Sequence, residues 1–165
     1  MKSARFGETL RALVRHDVQF IVVGMAAGVL QGVPLTTLDV DVVHQRTPDN
    51  VDRLLEALAE LKAVYRGDPR NLSPAASHLL GPGHQLLTTI NGDLDCLGAV
   101  DDGKGYDDLL QATKELMIGA GITVRVLELA MLIEVKRRAG RPKDLAALPI
   151  LEATLDEMRR GSGPP

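Results

Sequence analysis

The spacing of hydrophobic positions changes along the chain, and each change marks an element. Between Phe6 and Arg15 the apolar residues Phe6, Leu10, Leu13 and Val14 recur at helical intervals, which predicts a short amphipathic helix. The run VQFIVVG, β-branched and closed by Gly24, predicts a buried strand. MAAGVLQG predicts a short helix stopped at Gly32. TLDVDVVH alternates with a period of two and predicts a second strand. Thr47 is placed to cap the next helix and Pro48 to open it, and Val51, Leu54, Leu55, Leu58 and Leu61 form one stripe along it to about Ala63. Residues 66–83, rich in Pro, Gly, Asn and Ser, predict a loop. HQLLTTI and GDLDCLG flank Asn91-Gly92, a dipeptide that favours a type I′ hairpin turn. A helix near Tyr106–Thr113, a hairpin turning around Gly119–Gly121, and two helices, Glu128–Ala139 and Pro142–Arg159, complete the pattern. The order predicts an α+β fold: a mixed β-sheet flanked by helices, with a helical C-terminal segment. No linker divides it, so residues 1–160 read as a single domain and 161–165, GSGPP, as a disordered tail.

Composition narrows the partners. With 165 residues, 45% hydrophobic and 25% charged, the chain has material for a real core. A net charge of −3 gives no general attraction to nucleic acid or anionic membrane. Two Phe, two Tyr and no Trp are too few rings for a base-stacking platform. Cys96 stands alone, which excludes an intrachain disulfide and a multi-cysteine zinc site and leaves it as a small core residue. No window is apolar for long enough to span a membrane, and the opening segment MKSARFGETLRALVRHDV lacks a signal peptide's apolar stretch, so the expected location is cytoplasmic. No P-loop pattern and no nucleophile elbow occurs.

The aspartates change the picture more. In LDVDVV a strand places Asp39 and Asp41 on one face and Leu38, Val40 and Val42 on the other. The two acids stand roughly 6–7 Å apart at their α-carbons, close enough to repel and to raise one another's pKa. A divalent cation turns that cost into a use: Mg²⁺ takes oxygen ligands and keeps room for substrate phosphate. GDLDCLG repeats the pattern with Asp93 and Asp95. If its strand neighbours the first, three or four carboxylates converge. Solvated strand faces are the plain alternative. Upstream, Gly24 ends one strand and opens a helix, where free N–H groups suit a phosphate and glycine permits close approach.

Gly24, then Asp39-x-Asp41, then a later strand aspartate resembles the nucleotidyltransferase superfamily with the DNA polymerase β-like fold. FIVVGMAAGVLQGVPLTTLDVDVVHQRTPDNVDRLLEAL, GDLDCLG and VLELAMLIEVKRRAGRPKDLAALPILEATL resemble bacterial AbiEii-type nucleotidyltransferase-like proteins over roughly residues 17–157, a group that includes toxins of toxin–antitoxin systems. The resemblance implies Mg²⁺-dependent transfer of a nucleotide from an NTP to an acceptor hydroxyl on an RNA end such as tRNA, a protein or a small molecule. A cognate antitoxin is the implied partner. Asp39 and Asp41 match the metal-binding acids and Asp95 the third acid, with Asp93 as the alternative. Lys136 and Asp144 are nearest to a lysine and an aspartate that serve the site in such toxins. Where the family carries Gly-Gly or Gly-Ser, this chain has Gly24-Met25. Met25 offers no hydroxyl to a phosphate; its bulk either narrows the triphosphate path or fills the core. The alternative function is therefore a catalytically inactive member that binds a nucleotide or a protein partner.

Lys136, Arg137, Arg138, Arg141 and Lys143 form a basic stretch with no acid among them. On helices they cannot all face one way. They read either as a solvated helix end, where cations suit the C-terminal dipole, or as contacts to the phosphates of a triphosphate or an RNA backbone. Arg141, in the turn GRP, is placed to reach across. Asp144 in the next helix's first turn suits either capping or the site.

Overall fold

The computed structural model describes residues 2–119 and 121–161, with side chains from residue 5 onward. Ala120, within the stretch expected to turn a second hairpin, and 162–165, most of the expected tail, lie outside the described residues. Gly161 closes the last helix. The elements are α1 (Lys2–Arg15), β1 (Phe20–Val23), α2 (Gly24–Leu30), β2 (Asp39–His44), α3 (Pro48–Glu60), β3 (Val64–Tyr65) and α4 (Ala76–Leu80). They continue with β4 (His84–Thr89), β5 (Gly92–Leu97), α5 (Tyr106–Leu109), β6 (Thr113–Met117), β7 (Thr123–Leu127), α6 (Leu129–Ala139) and α7 (Pro142–Gly161).

The described strands form one seven-stranded mixed sheet in the order β3-β4-β5-β2-β1-β7-β6. β1 runs antiparallel to β2 and parallel to β7, and β2 runs parallel to β5. All four residues of β1 are buried, which is why its sequence is a continuous apolar run. β2 and β5 alternate because one face of each meets the core and the other does not. Val40, Val42, Leu94 and Cys96 are buried, while Asp39, Asp41, Asp93 and Asp95 are half-buried on the opposite face. α1 packs on α3 and reaches β5 and β7; α2 packs on β1, β2 and α6; α6 and α7 form a hairpin. Leu10, Leu13, Leu54, Leu94, Leu127, Leu132 and Leu151 belong to a continuous core.

Local chemistry sets the element ends. The Thr47 side chain accepts from the Asn50 N–H at 3.3 Å, and Pro48 opens α3. Asn50, fully buried, donates to the Gln19 and Gln45 carbonyls and accepts from the Gln19 N–H, fastening the turn before β1 to the start of α3. Gly140 takes the left-handed conformation (φ 66°) that ends α6, and Pro142 starts α7.

Five local expectations are corrected. α3 ends at Glu60, with Lys62 at positive φ. The stretch expected to be a loop contains α4, and β3 precedes it. Tyr106–Leu109 gives way to a 3₁₀ turn over Leu110–Ala112, because Thr113 is already paired to Leu127. In the β4–β5 hairpin Thr89 pairs with Gly92, and positive φ falls on Gly92 (117°) and not on Asn91, whereas a type I′ turn needs it at both central residues. Leu38 lies outside β2 and is exposed.

Candidate active site

The sheet register brings the two aspartate pairs side by side. On the parallel strands β2 and β5, Asp39 lies opposite Asp93 and Asp41 opposite Asp95. Neighbouring strands are about 4.8 Å apart, so acids at matched positions on one face are in reach of each other. On the other side of β2, Val23 of β1 pairs with Asp41, and the next residue, Gly24, starts α2. Gly24 has φ 61°, and a β-carbon there would overlap the Asp41 carboxylate. Glycine is thus required twice, by backbone conformation and by close approach.

A cleft of about 350 Å³ opens on this face. Gly24, Asp39, Asp41, Asp95, Lys136, Arg141 and Asp144 all line it. Met25 does not: it packs against the core, with its sulfur where a β-carbon on Gly28 would come near. Asp95, and not Asp93, is among the lining residues. Beside the charged groups the wall is apolar, with Leu97, Val100, Leu127, Leu132 and Val135.

The acids are short of positive charge. Burial, a hydrogen bond with Asp95, and the charges of Asp95 and Asp39 push the Asp41 carboxyl up from 3.8 to about 7, with Lys136 pulling the other way. A cation placed against Asp41 would favour its charged form again. The cation present on these acids is Arg66. Its Nη2 donates to Asp95 Oδ1 at 2.5 Å and its Nε lies 3.3 Å from Asp93 Oδ2. Burial works against charge on Arg66, and the carboxylates of Asp95, Asp93 and Asp39 outweigh it, raising its pKa. Cys96, behind Asp95, is fully buried; burial first and then the Asp95 charge push its thiol up to about 12, so it is an inert core residue.

Across the cleft, Asp144 is fully buried between two cations. Lys136 Nζ lies 3.3 Å from Oδ1 and Arg141 Nε donates to Oδ2 at 2.6 Å. Burial opposes ionisation of Asp144, but these hydrogen bonds prevail and hold its carboxyl below the ordinary range. Arg141 also reaches Asp101 at 3.1 Å, and Arg138 reaches Asp102 at 3.1 Å, so the loop after β5 is tied to the α6–α7 turn. Arg137 pairs with Glu134 and Glu152 and faces away. The basic stretch therefore splits: Lys136, Arg141 and Lys143 line the cleft, while Arg137 does not.

Arg66, His84 and Asp101 line the cleft without any sequence signal. Arg66 follows a two-residue strand that no periodicity can reveal. His84 Nε2 donates to the Ala99 carbonyl at 2.8 Å, so the ring is held by backbone. His44 is buried away from the cleft, donating to the Leu79 carbonyl at 2.7 Å, and burial lowers its pKa.

The donor set suits Mg²⁺ in kind: carboxylate oxygens only, on adjacent strands, with a glycine leaving space over Asp41. Among the described residues, however, no group of three or more His, Cys, Asp or Glu is gathered closely enough to ligate a metal together. The ligand types fit; as they stand, Asp95 and Asp93 are engaged by Arg66.

Neither a protein-family model nor a curated protein sequence matches the chain. Solved structures do. A Thermotoga maritima protein assigned as a nucleotidyltransferase (TM1012) superposes with a TM-score of 0.55 at 18% identity, covering 92% of this chain and 91% of that one. The antibiotic-resistance factor ANT(2'')-Ia, whose solution structure is described as showing substrate-regulated conformation dynamics, superposes with a TM-score of 0.61 at 16% identity, covering 94% and 86%. A mixed sheet flanked by helices, closed by a C-terminal helical hairpin and superposing on these structures over nearly its whole length, is the polymerase β-like nucleotidyltransferase fold.

Proposed function

We propose that the chain is a Mg²⁺-dependent nucleotidyltransferase that moves a nucleotide from an NTP to an acceptor hydroxyl. One observation carries the reading: Asp39 and Asp41 on β2 and Asp95 on the parallel neighbour β5 face one cleft beside Gly24. Asp39, Asp41 and Asp95 would hold the metal. When bound, Mg²⁺ supplies neutralisation of phosphate charge. The chain's own groups do the remaining work. Asp95 accepts the proton of the acceptor hydroxyl as its oxygen bonds to the α-phosphorus and pyrophosphate leaves. The N–H groups opening α2 have no side-chain cap and would be free to receive the phosphates. Lys136 offsets their charge, and Asp144 and Arg141 fix Lys136 at the cleft wall. Positioning and electrostatics supply most of the rate in such chemistry.

The acceptor belongs to one of three classes: an RNA end such as tRNA, a protein hydroxyl or a small molecule. The antibiotic-resistance role of ANT(2'')-Ia favours including the last. The AbiEii-like stretches support a toxin role with a cognate antitoxin, which growth arrest on expression and its relief by the neighbouring gene would test. The cytoplasm, where NTPs are abundant, is the proposed location; no helix among the described residues is long and apolar enough to cross a membrane. The reading as an inactive member drew on Met25 crowding the phosphates, and Met25 lines no part of the cleft.

The test is label transfer. Purified chain, each labelled NTP, Mg²⁺ and cell extract should yield a labelled acceptor, and Asp39→Asn should cut transfer roughly a hundredfold or more. Silence with every NTP, together with no Mg²⁺-dependent thermal shift, would sink the proposal.

A further inference from the structure

We propose that Arg66 is a positioning residue that occupies the place of the divalent cation in the unloaded cleft, holding Asp95 until the cation displaces it. The inference rests on the nucleotidyltransferase reading above and adds a gate to it. Arg66 is placed by backbone: its N–H donates to the Leu86 carbonyl at 3.0 Å, fixing the residue at the end of β3 beside β4. From there the side chain crosses β4 to the acids of β5. Nη2 donates both to the Leu87 carbonyl, at 2.9 Å, and to Asp95 Oδ1, at 2.5 Å.

The grip is strong at Asp95 and weak elsewhere. A guanidinium bond to a carboxylate is charge-assisted, and arginine cannot relieve the contact by losing its proton. Yet Nε, although buried, makes no hydrogen bond; it faces Asp93 Oδ2 at 3.3 Å in poor alignment. Arg66 is therefore held by one good carboxylate bond, one carbonyl and one loose ion pair. If Asp95 is withdrawn, the Leu87 carbonyl and Asp93 remain to receive the guanidinium, which needs only a small shift within its strand-edge niche. Asp93 thereby acquires a role distinct from that of Asp95: it keeps the arginine.

Oδ1 of Asp95 is engaged by Arg66, so a divalent cation must compete with that contact. The gate gives Asp95 a cationic partner when no divalent cation is present, and metal entry must displace it.

The experiment is Mn²⁺ binding by the full chain without nucleotide, followed by the loss of the free-ion electron paramagnetic resonance signal. Arg66→Gln should bind Mn²⁺ about tenfold or more tightly than wild type, the worth of one charge-assisted hydrogen bond removed from competition. Arg66→Lys, which keeps the charge and loses the fork, should fall between the two; it also serves the comparison if Arg66→Gln does not fold. Equal or weaker binding by the variants overturns the gate, leaves Arg66 as a tie between β3 and the sheet, and leaves the nucleotidyltransferase reading intact. No Mn²⁺ binding by any of the three proteins overturns that reading and the gate with it.

Discussion

Gly24 and Asp41 form a matched pair. The carboxylate occupies the space that any other side chain at 24 would need, and the backbone there is left-handed. Gly24→Ala should therefore lose about 1–2 kcal/mol from the positive φ alone and more from the overlap, read as a lower midpoint in urea unfolding. Unchanged stability would mean that Asp41 is not packed over Gly24. Asp41 also makes a pH prediction. Its pKa rises from 3.8 to about 7 in the fold, so the fold binds the proton more tightly than the unfolded chain does. Its stabilising contribution is complete below about pH 4 and is lost as pH climbs through 7. Asn mimics the protonated acid at every pH. In chelator, Asp41→Asn should melt above wild type at pH 8, and the gap should close toward pH 4; a constant gap would contradict the raised pKa. These residues were legible because strict alternation with valines put both charges of β2 on one face. Arg66 was not, because nothing local to VYRGD says which acids lie across the sheet.

At the scale of elements, the stripes and caps were readable wherever a segment settles its own backbone. α1, α3, α6 and α7 appear where apolar spacing, Thr47, Pro48 and Pro142 place them, with α3 ending short of its expected end. Short elements were not, since β3 and α4 are made by packing and by pairing to β4 rather than by propensity. The hairpin turn shows the same limit. Asn91-Gly92 signals a turn, but pairing with β5 moves the loop one residue back and leaves the positive φ to glycine. α7 carries one internal conflict: Pro149 sits exposed inside the helix, where it lacks the N–H for its i−4 bond. Pro149→Ala removes a cost of about 3 kcal/mol and gives back somewhat under 1 kcal/mol through the unfolded chain. Thermal unfolding should show a gain of about 2 kcal/mol; no gain would mean that a bend at 149 is needed to seat Leu151 in the core.

At the scale of the molecule, the cleft exists because four remote segments meet. β1 delivers Gly24, β2 and β5 deliver the acids in register, and the α6–α7 turn closes over them with Lys136, Arg141 and Asp144. The order of the longer elements, the apolar faces, and which residues share a strand face are properties of short windows, and the chain alone determined them. Period and turn chemistry act over a few residues, so a few residues suffice to read them. The tertiary structure decided everything that depends on adjacency. It paired Asp41 with Asp95, kept Asp93 out of the lining, turned Met25 to the core, and split the basic stretch between cleft and surface. It also set Arg66 on the acids. Register between distant strands is fixed by the packing of the whole sheet, and a carboxylate's charge state is fixed by whatever groups that packing brings within a few ångströms of it.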